Sequence, residues 1–203
     1  MKQKKEAVLF RPLLYRNIIL PNKELYDTYI PLIAGGAAAV LYYFSNGIAP
    51  LWEQHGIIAN IQLILTILPG FFITALAAIA TFDKPTLDGT MHGDPPKVIC
   101  SDLDNEIRER ILTRRRFLCL LFGYLSLVTF LLYIFGAALD TINETLSQLL
   151  KSKIHYQNLL LYFRVTALFL YITCFANIVT TTLLGLFYLS DRLHWFEPKP
   201  YSD

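Results

Sequence analysis

Residues 61–82 read IQLILTILPGFFITALAAIATF, 22 residues without a charged side chain. At 1.5 Å per residue a helix of that length reaches about 33 Å, enough to cross the hydrocarbon of a bilayer. The stretch therefore predicts a transmembrane helix and decides the class of the whole chain. Composition agrees, since 54% hydrophobic and 14% aromatic residues, with a mean hydropathy of +0.42, exceed what one soluble core of 203 residues needs. Pro69 and Gly70 interrupt the middle of the stretch and predict a kink, either a static packing device or a hinge. Gly70, Thr74 and Ala78 recur every fourth residue and form a small stripe on which another helix can pack.

Upstream, residues 29–44 (YIPLIAGGAAAVLYYF) give a shorter apolar run, with Tyr29 at one end and Tyr42 and Tyr43 at the other as interfacial anchors. Gly35 and Ala39 stand four apart, a second small-residue face. The connection that follows contains no Lys or Arg and carries Trp52 and His55, the histidine read as an exposed loop residue. Residues 7–20 mix apolar side chains with Arg11, Pro12 and Arg16. They are too short and too charged to span, and predict a segment lying in the headgroup layer. They lack the unbroken apolar core and cleavage site of a signal peptide.

Downstream, residues 83–116 read DKPTLDGTMHGDPPKVICSDLDNEIRERILTRRR. The first half is punctuated by Pro85, Gly89, Gly93, Pro95 and Pro96 and predicts a loop. In the second half Ser101 offers an N-cap, and Asp102, Asp104 and Glu106 precede Arg108, Arg110 and Arg114–Arg116. That charge order complements a helix dipole. Leu103, Ile107 and Ile111 lie four apart, so the expectation is a helix that buries this apolar stripe and runs unbroken into the third span.

The third span is predicted over Phe117–Leu139, its less lipophilic face formed by Cys119, Phe122, Ser126, Thr129, Tyr133 and Gly136. A polar, faintly amphipathic connection follows Asp140. The last span then contains 25 uncharged residues from Val165 to Leu189, with Arg164 at its outer end, placed to snorkel or to pair with Asp140. Thr173, Asn177, Thr181 and Gly185 follow one another at four-residue spacing, with Thr180 and Thr182 beside them.

The expected fold is all-α: a polytopic membrane protein with four transmembrane helices in two hairpins and a cytosolic helical extension of the third span. Its parts are a basic N-terminal segment (1–28), hairpin 1 (29–82), a cytosolic loop and helix (83–116), hairpin 2 (117–190) and a tail (191–203). Six Lys/Arg in the N-terminal segment, seven from Lys84 to Arg116 and two in the tail face three on the other side, Lys151, Lys153 and Arg164. The positive-inside rule places both termini and the central loop in the cytoplasm.

Chemistry-bearing constellations are sparse. Intramembrane enzymes and proton-coupled carriers place titratable groups deep in their spans, and these four have none there. Asp83, Asp88, His92 and Asp94 match no metal or acid/base spacing and read as solvated loop residues. Cys100, Cys119 and Cys174 suggest neither a zinc site nor a disulfide framework. No cofactor is expected. Arg114, Arg115 and Arg116 read as a topological lock that binds anionic lipid headgroups. Direct nucleic-acid binding is not expected, because Asp102, Asp104, Glu106 and Glu109 would repel phosphate.

The Thr173/Asn177/Thr181/Gly185 stripe, like Gly35/Ala39 and Gly70/Thr74/Ala78, reads as a seam for a homo-oligomer. The alternative is a narrow wet path through a small pore-forming effector, but no ring-forming charge accompanies the stripe. A cytosolic protein is expected to dock on Leu103, Ile107, Arg108, Arg110 and Ile111.

In layout the chain resembles KwaA, the four-span membrane subunit of the bacterial Kiwa anti-phage system. The likeness rests on the basic N-terminal segment, the two hairpins, the FDKPTLDGTMHGDPP loop leading to SDLDNEIRERILTRRR, and the SDRLHW tail. It implies a multi-pass oligomer of the bacterial inner membrane that senses infection and works with a cytosolic, nucleic-acid-binding partner, KwaB.

Overall fold

The computed structural model of the protein describes residues 8–20, 23–45, 51, 56–81, 88–90, 95–101, 107–150 and 157–190. A 3-10 helix over Val8–Asn17 leads into strand β1 (Ile18–Ile19). A π-helical turn, Leu25–Tyr29, opens α1 (Ile30–Phe44), and α2 spans Ile57–Thr81. Strands β2 (Lys97–Ser101) and β3 (Ile107–Ile111) precede α3 (Arg114–Leu150) and α4 (Gln157–Ser190). The chain is mostly helical, and three of its helices are long and apolar enough to cross a membrane: Ile57–Thr81, Arg114–Gln148 and Asn158–Leu189. With 15 residues, α1 is shorter than these.

Packing divides the chain into two compact units. One holds Met1–Lys23, Phe72–Leu125 and Thr181–Asp203, the other Glu24–Phe71 and Ser126–Thr180. In the first, the opening turns of α3 form the core, with Phe117, Leu118, Leu121, Phe122 and Leu125 buried. Tyr15 stacks on Tyr124 at 4.9 Å between ring centroids, Phe117 meets Tyr188 edge-on at 5.1 Å, and Phe72 lies 6.2 Å from Phe122. The segment expected to lie in the headgroup layer thus buries Tyr15 and Ile18 in protein. Lys23 secures it: its ammonium donates to the carbonyls of Tyr15 (2.6 Å) and Arg16 (3.1 Å), in the last turn of the 3-10 helix, where oxygens lack intrahelical donors, and to that of Ile18 in β1 (3.0 Å).

A small antiparallel sheet in order β1-β2-β3 belongs to this unit, with Ile18 opposite Val98 and Val98 opposite Arg110. It corrects the expectation of a helix from Ser101 onward. Leu103, Ile107 and Ile111 stand four apart, and a spacing of four fits the helical period of 3.6 as well as two periods of a strand. The β-branched residues Val98, Ile99, Ile107 and Ile111 tip the choice toward strand. The N-cap of α3 is Thr113, not Ser101: its hydroxyl accepts the Arg116 N–H at 3.4 Å, and its carbonyl takes the first helical bond from Phe117 at 2.9 Å. Three arginines therefore occupy the first turn, the end where the dipole disfavours positive charge.

At its other end α3 runs on past Asp140 to Leu150 through the stretch read as a connection. The expected rod from Asp102 to Leu139 is replaced by one of similar length, about 55 Å, shifted toward the C-terminus. Leu103, His92, Asp94 and the tail 191–203 lie outside the described residues.

Candidate functional site: the α1–α4 seam and the strand-bearing loop

The most heavily built polar feature in the unit formed by residues 24–71 and 126–180 begins with Pro31. A proline has no N–H, and its ring clashes with the carbonyl four residues earlier, here Asp27. The helix widens into a π turn, in which the Ile30 N–H bonds to the Leu25 carbonyl five residues back. Residue 31 would be the i+4 donor to Asp27 and, in a continued π pattern, the i+5 donor to Tyr26. With the Ile30 N–H drawn back to Leu25 and no N–H on residue 31, one helical donor is missing for these two carbonyls.

Two side chains of α4 serve them. Asn177 Nδ2 donates to the Asp27 carbonyl at 2.9 Å, and Thr180 Oγ1 donates to the Tyr26 carbonyl at 2.8 Å. Further along, Gly35 admits α4 so closely that a Cβ there would overlap the Thr173 hydroxyl and sit 2.9 Å from the Phe169 carbonyl oxygen. Thr173 Oγ1 itself turns back to that carbonyl at 2.7 Å. Asn177, Thr173 and Gly35, proposed from sequence as an oligomer seam, thus meet within one chain. Thr180, noted beside the stripe, is the member sequence reasoning undervalued. The signal that could have found it was Pro31 inside an apolar run.

Gly136 of α3 plays a similar part. A Cβ on it would overlap the Gln62 amide and lie 2.9 Å from the Tyr171 hydroxyl, so a glycine lets α2 and α4 side chains converge on α3. Toward the end of this unit Arg164 donates from Nε to Asn143 Oδ1 at 3.0 Å and from a terminal nitrogen to Ser147 Oγ at 3.4 Å.

The remaining predicted residues separate by environment. Ala39 and Thr181 are buried, and so is Gly185, where an added Cβ would lie 2.8 Å from Leu121. Gly70 and Thr74 are exposed, Ala78 is half-buried, and nothing lies within 4 Å of where a Cβ on Gly70 would stand. The three arginines divide likewise. Arg114 is buried; Arg116 is exposed. Arg115 grips Asp88 side-on, Nε to Oδ1 at 2.9 Å and a terminal nitrogen to Oδ2 at 3.2 Å, and also donates to the Ala80 carbonyl at 3.3 Å. It ties the loop to the last turn of α2, a role the lipid-headgroup reading did not anticipate. The Arg114 N–H bonds to the Gly89 carbonyl at 3.1 Å, and Thr90 bridges to Thr113.

In the docking region Ile107, Arg108 and Arg110 belong to β3, and Ile111 is 55% exposed. Ile19, Lys97 and Ile111 form one row across the sheet, with Ile19 also half-exposed. No family model, curated protein or solved structure matches this chain.

Proposed function

We propose that the chain is a four-pass, non-enzymatic subunit of the bacterial cytoplasmic membrane that assembles with copies of itself and recruits a cytosolic protein, in the service of anti-phage defence. The observation that carries the topology is the pairing of β1 with β2. Two strands of one sheet lie on the same side of a bilayer, which supports an even number of crossings between Ile19 and Lys97. With α2 long and apolar enough to cross, the pairing favours α1 as its companion. Ile33, Leu41 and Phe44 of α1 are each at least 70% exposed and suit lipid.

The contact of Phe117 with Tyr188 sets the start of α3 beside the end of α4 and supports a return of the chain to that same side. The excess of Lys and Arg there makes it the cytoplasmic side. The exposed Gly70/Thr74 stripe is the surface left for a second copy, and the sheet and loop are the surface left for a soluble partner. The layout shared with KwaA supports the defence role. The pore reading loses ground, because Thr173, Asn177 and Thr180 spend their donors on this chain's own backbone.

The test is affinity purification of the full chain from its native membrane in mild detergent, with alkaline phosphatase fusions at residues 50, 92, 154 and 203. Active enzyme at 50 and 154 only, together with a stoichiometric soluble partner, is the expected result. An inactive fusion at 50 would remove the α1 crossing. A lone chain that makes liposomes leak would return the pore.

A further inference from the structure

The two edges of the sheet are built differently. β1 is two residues long and is followed at once by Leu20 and Pro21, so it offers no length for another strand to join. β3 is five residues long, IRERI, with neither proline nor glycine. It ends the strand order, and among the described residues no strand pairs with its outer side.

The phase of that outer side follows from one bond. The Leu112 N–H reaches the Pro96 carbonyl at 2.9 Å, in register with Lys97 opposite Ile111. Hydrogen-bonded and non-bonded pairs alternate in an antiparallel ladder. Arg108 and Arg110 therefore exchange main-chain bonds with Cys100 and Val98, and the N–H and C=O groups of Ile107, Glu109 and Ile111 point away from β2.

We propose that this outer edge of β3 accepts an extended segment of a protein partner by strand addition, and that the segment alternates apolar and acidic residues. The proposal rests on the recruiting role given above and names the surface for it. Main-chain bonds to residues 107, 109 and 111 supply the attachment. Ile111, more than half exposed, favours an apolar residue at the register position opposite it. Arg108 and Arg110 favour acidic residues at the two positions opposite them. A second copy of the chain is the poorer occupant: antiparallel overlap of the whole strand sets Glu109 opposite Glu109 and Arg108 opposite Arg110, and directly opposed like charges repel.

The test uses the full chain in lipid nanodiscs, titrated with two fluorescent nine-residue peptides, one alternating valine with glutamate and the other valine with lysine. The glutamate peptide binds the wild type, and the lysine peptide binds about tenfold more weakly. Glu109→Pro removes one outward N–H without touching the β2 ladder and weakens the glutamate peptide about tenfold, while Glu109→Ala leaves it within about twofold. Protection of the Val98 amide from hydrogen exchange reports whether the ladder survives in the proline variant.

If it does not, the charge swap Arg108→Glu with Arg110→Glu answers instead, and the preference must pass to the lysine peptide. Equal binding of the two peptides, full binding by a Glu109→Pro chain that keeps Val98 protected, or cross-linking of two Glu109→Cys chains through this strand would each overturn the proposal. A soluble partner that co-purifies undiminished with Glu109→Pro would overturn the edge and leave recruitment standing. A wild type that captures no partner would remove recruitment while the peptide titration still reports on the edge.

Discussion

α1 and α2 carry the same kind of signal in sequence, small residues four apart, and the structure uses them in opposite ways. Gly35 and Ala39 of α1 are buried, and Gly35 is filled by α4 to the point of overlap with any added carbon. Gly70 and Thr74 of α2 are exposed, and the space beside Gly70 is open. Their ends differ in the same spirit. The opening turn of α1, deprived of a backbone donor by Pro31, is closed by the neutral side chains of Asn177 and Thr180; the last turn of α2 is closed by the cation Arg115, which reaches from the start of α3. A small-residue motif in a membrane helix therefore says that something packs closely there, and only burial tells whether the something is the same chain.

Five variants break or sharpen this contrast. Gly35→Leu should do the most damage, costing about 3 kcal/mol because a backbone carbonyl stands in its way and helices cannot separate locally without losing the seam. Its midpoint in an SDS titration of detergent-solubilised protein should fall steeply; an unchanged midpoint would show that α1 does not rest on α4. Asn177→Leu with Thr180→Val removes both α4 donors and should cost about 2 kcal/mol, since two carbonyls then lose their side-chain partners. The same pair made in a Pro31→Ala background should cost about half as much, because residue 31 then supplies one donor again.

Arg115→Gln should loosen the loop more than the helices. A partly exposed ion pair is worth about 0.5–1 kcal/mol, and limited proteolysis near Asp88 should accelerate while the SDS midpoint moves little. Gly70→Leu should leave stability within about 0.5 kcal/mol, as a substitution at an open surface position, yet lower the oligomeric state read by mass photometry. An oligomer indifferent to that change would move the contact between copies elsewhere.

The three long apolar helices were legible from composition alone, because charge-free runs of more than 20 residues have few alternatives in water. α1 was legible as an apolar run but not as a π-opened helix, since the turn is a consequence of the missing Pro31 N–H acting together with two donors about 150 positions away. The stretch after Ser101 misled for a different reason. Asp and Asn side chains suit turns as readily as the first turn of a helix, and the four-residue apolar spacing cannot separate the two periods. Thr173 and Asn177 stood out on α4 by their four-residue spacing, but the backbone partners of Asn177 and Thr180 did not, because hydrogen bonds from side chain to distant backbone leave no pattern in a single sequence.

The pairing of Ile18 and Ile19 with Val98 and Lys97 also dictates an order of events during biogenesis. The first strand leaves the ribosome long before its partner exists, and both α1 and α2 must be made and placed in between. Until residue 98 emerges, Tyr15 and Ile18 have no sheet to complete and no Phe117 or Tyr124 to rest on. Closure of the sheet is thus a late checkpoint in assembly. A chain in which α1 or α2 is misplaced keeps β1 and β2 apart and leaves Tyr15 and Ile18, both buried in the finished fold, without cover.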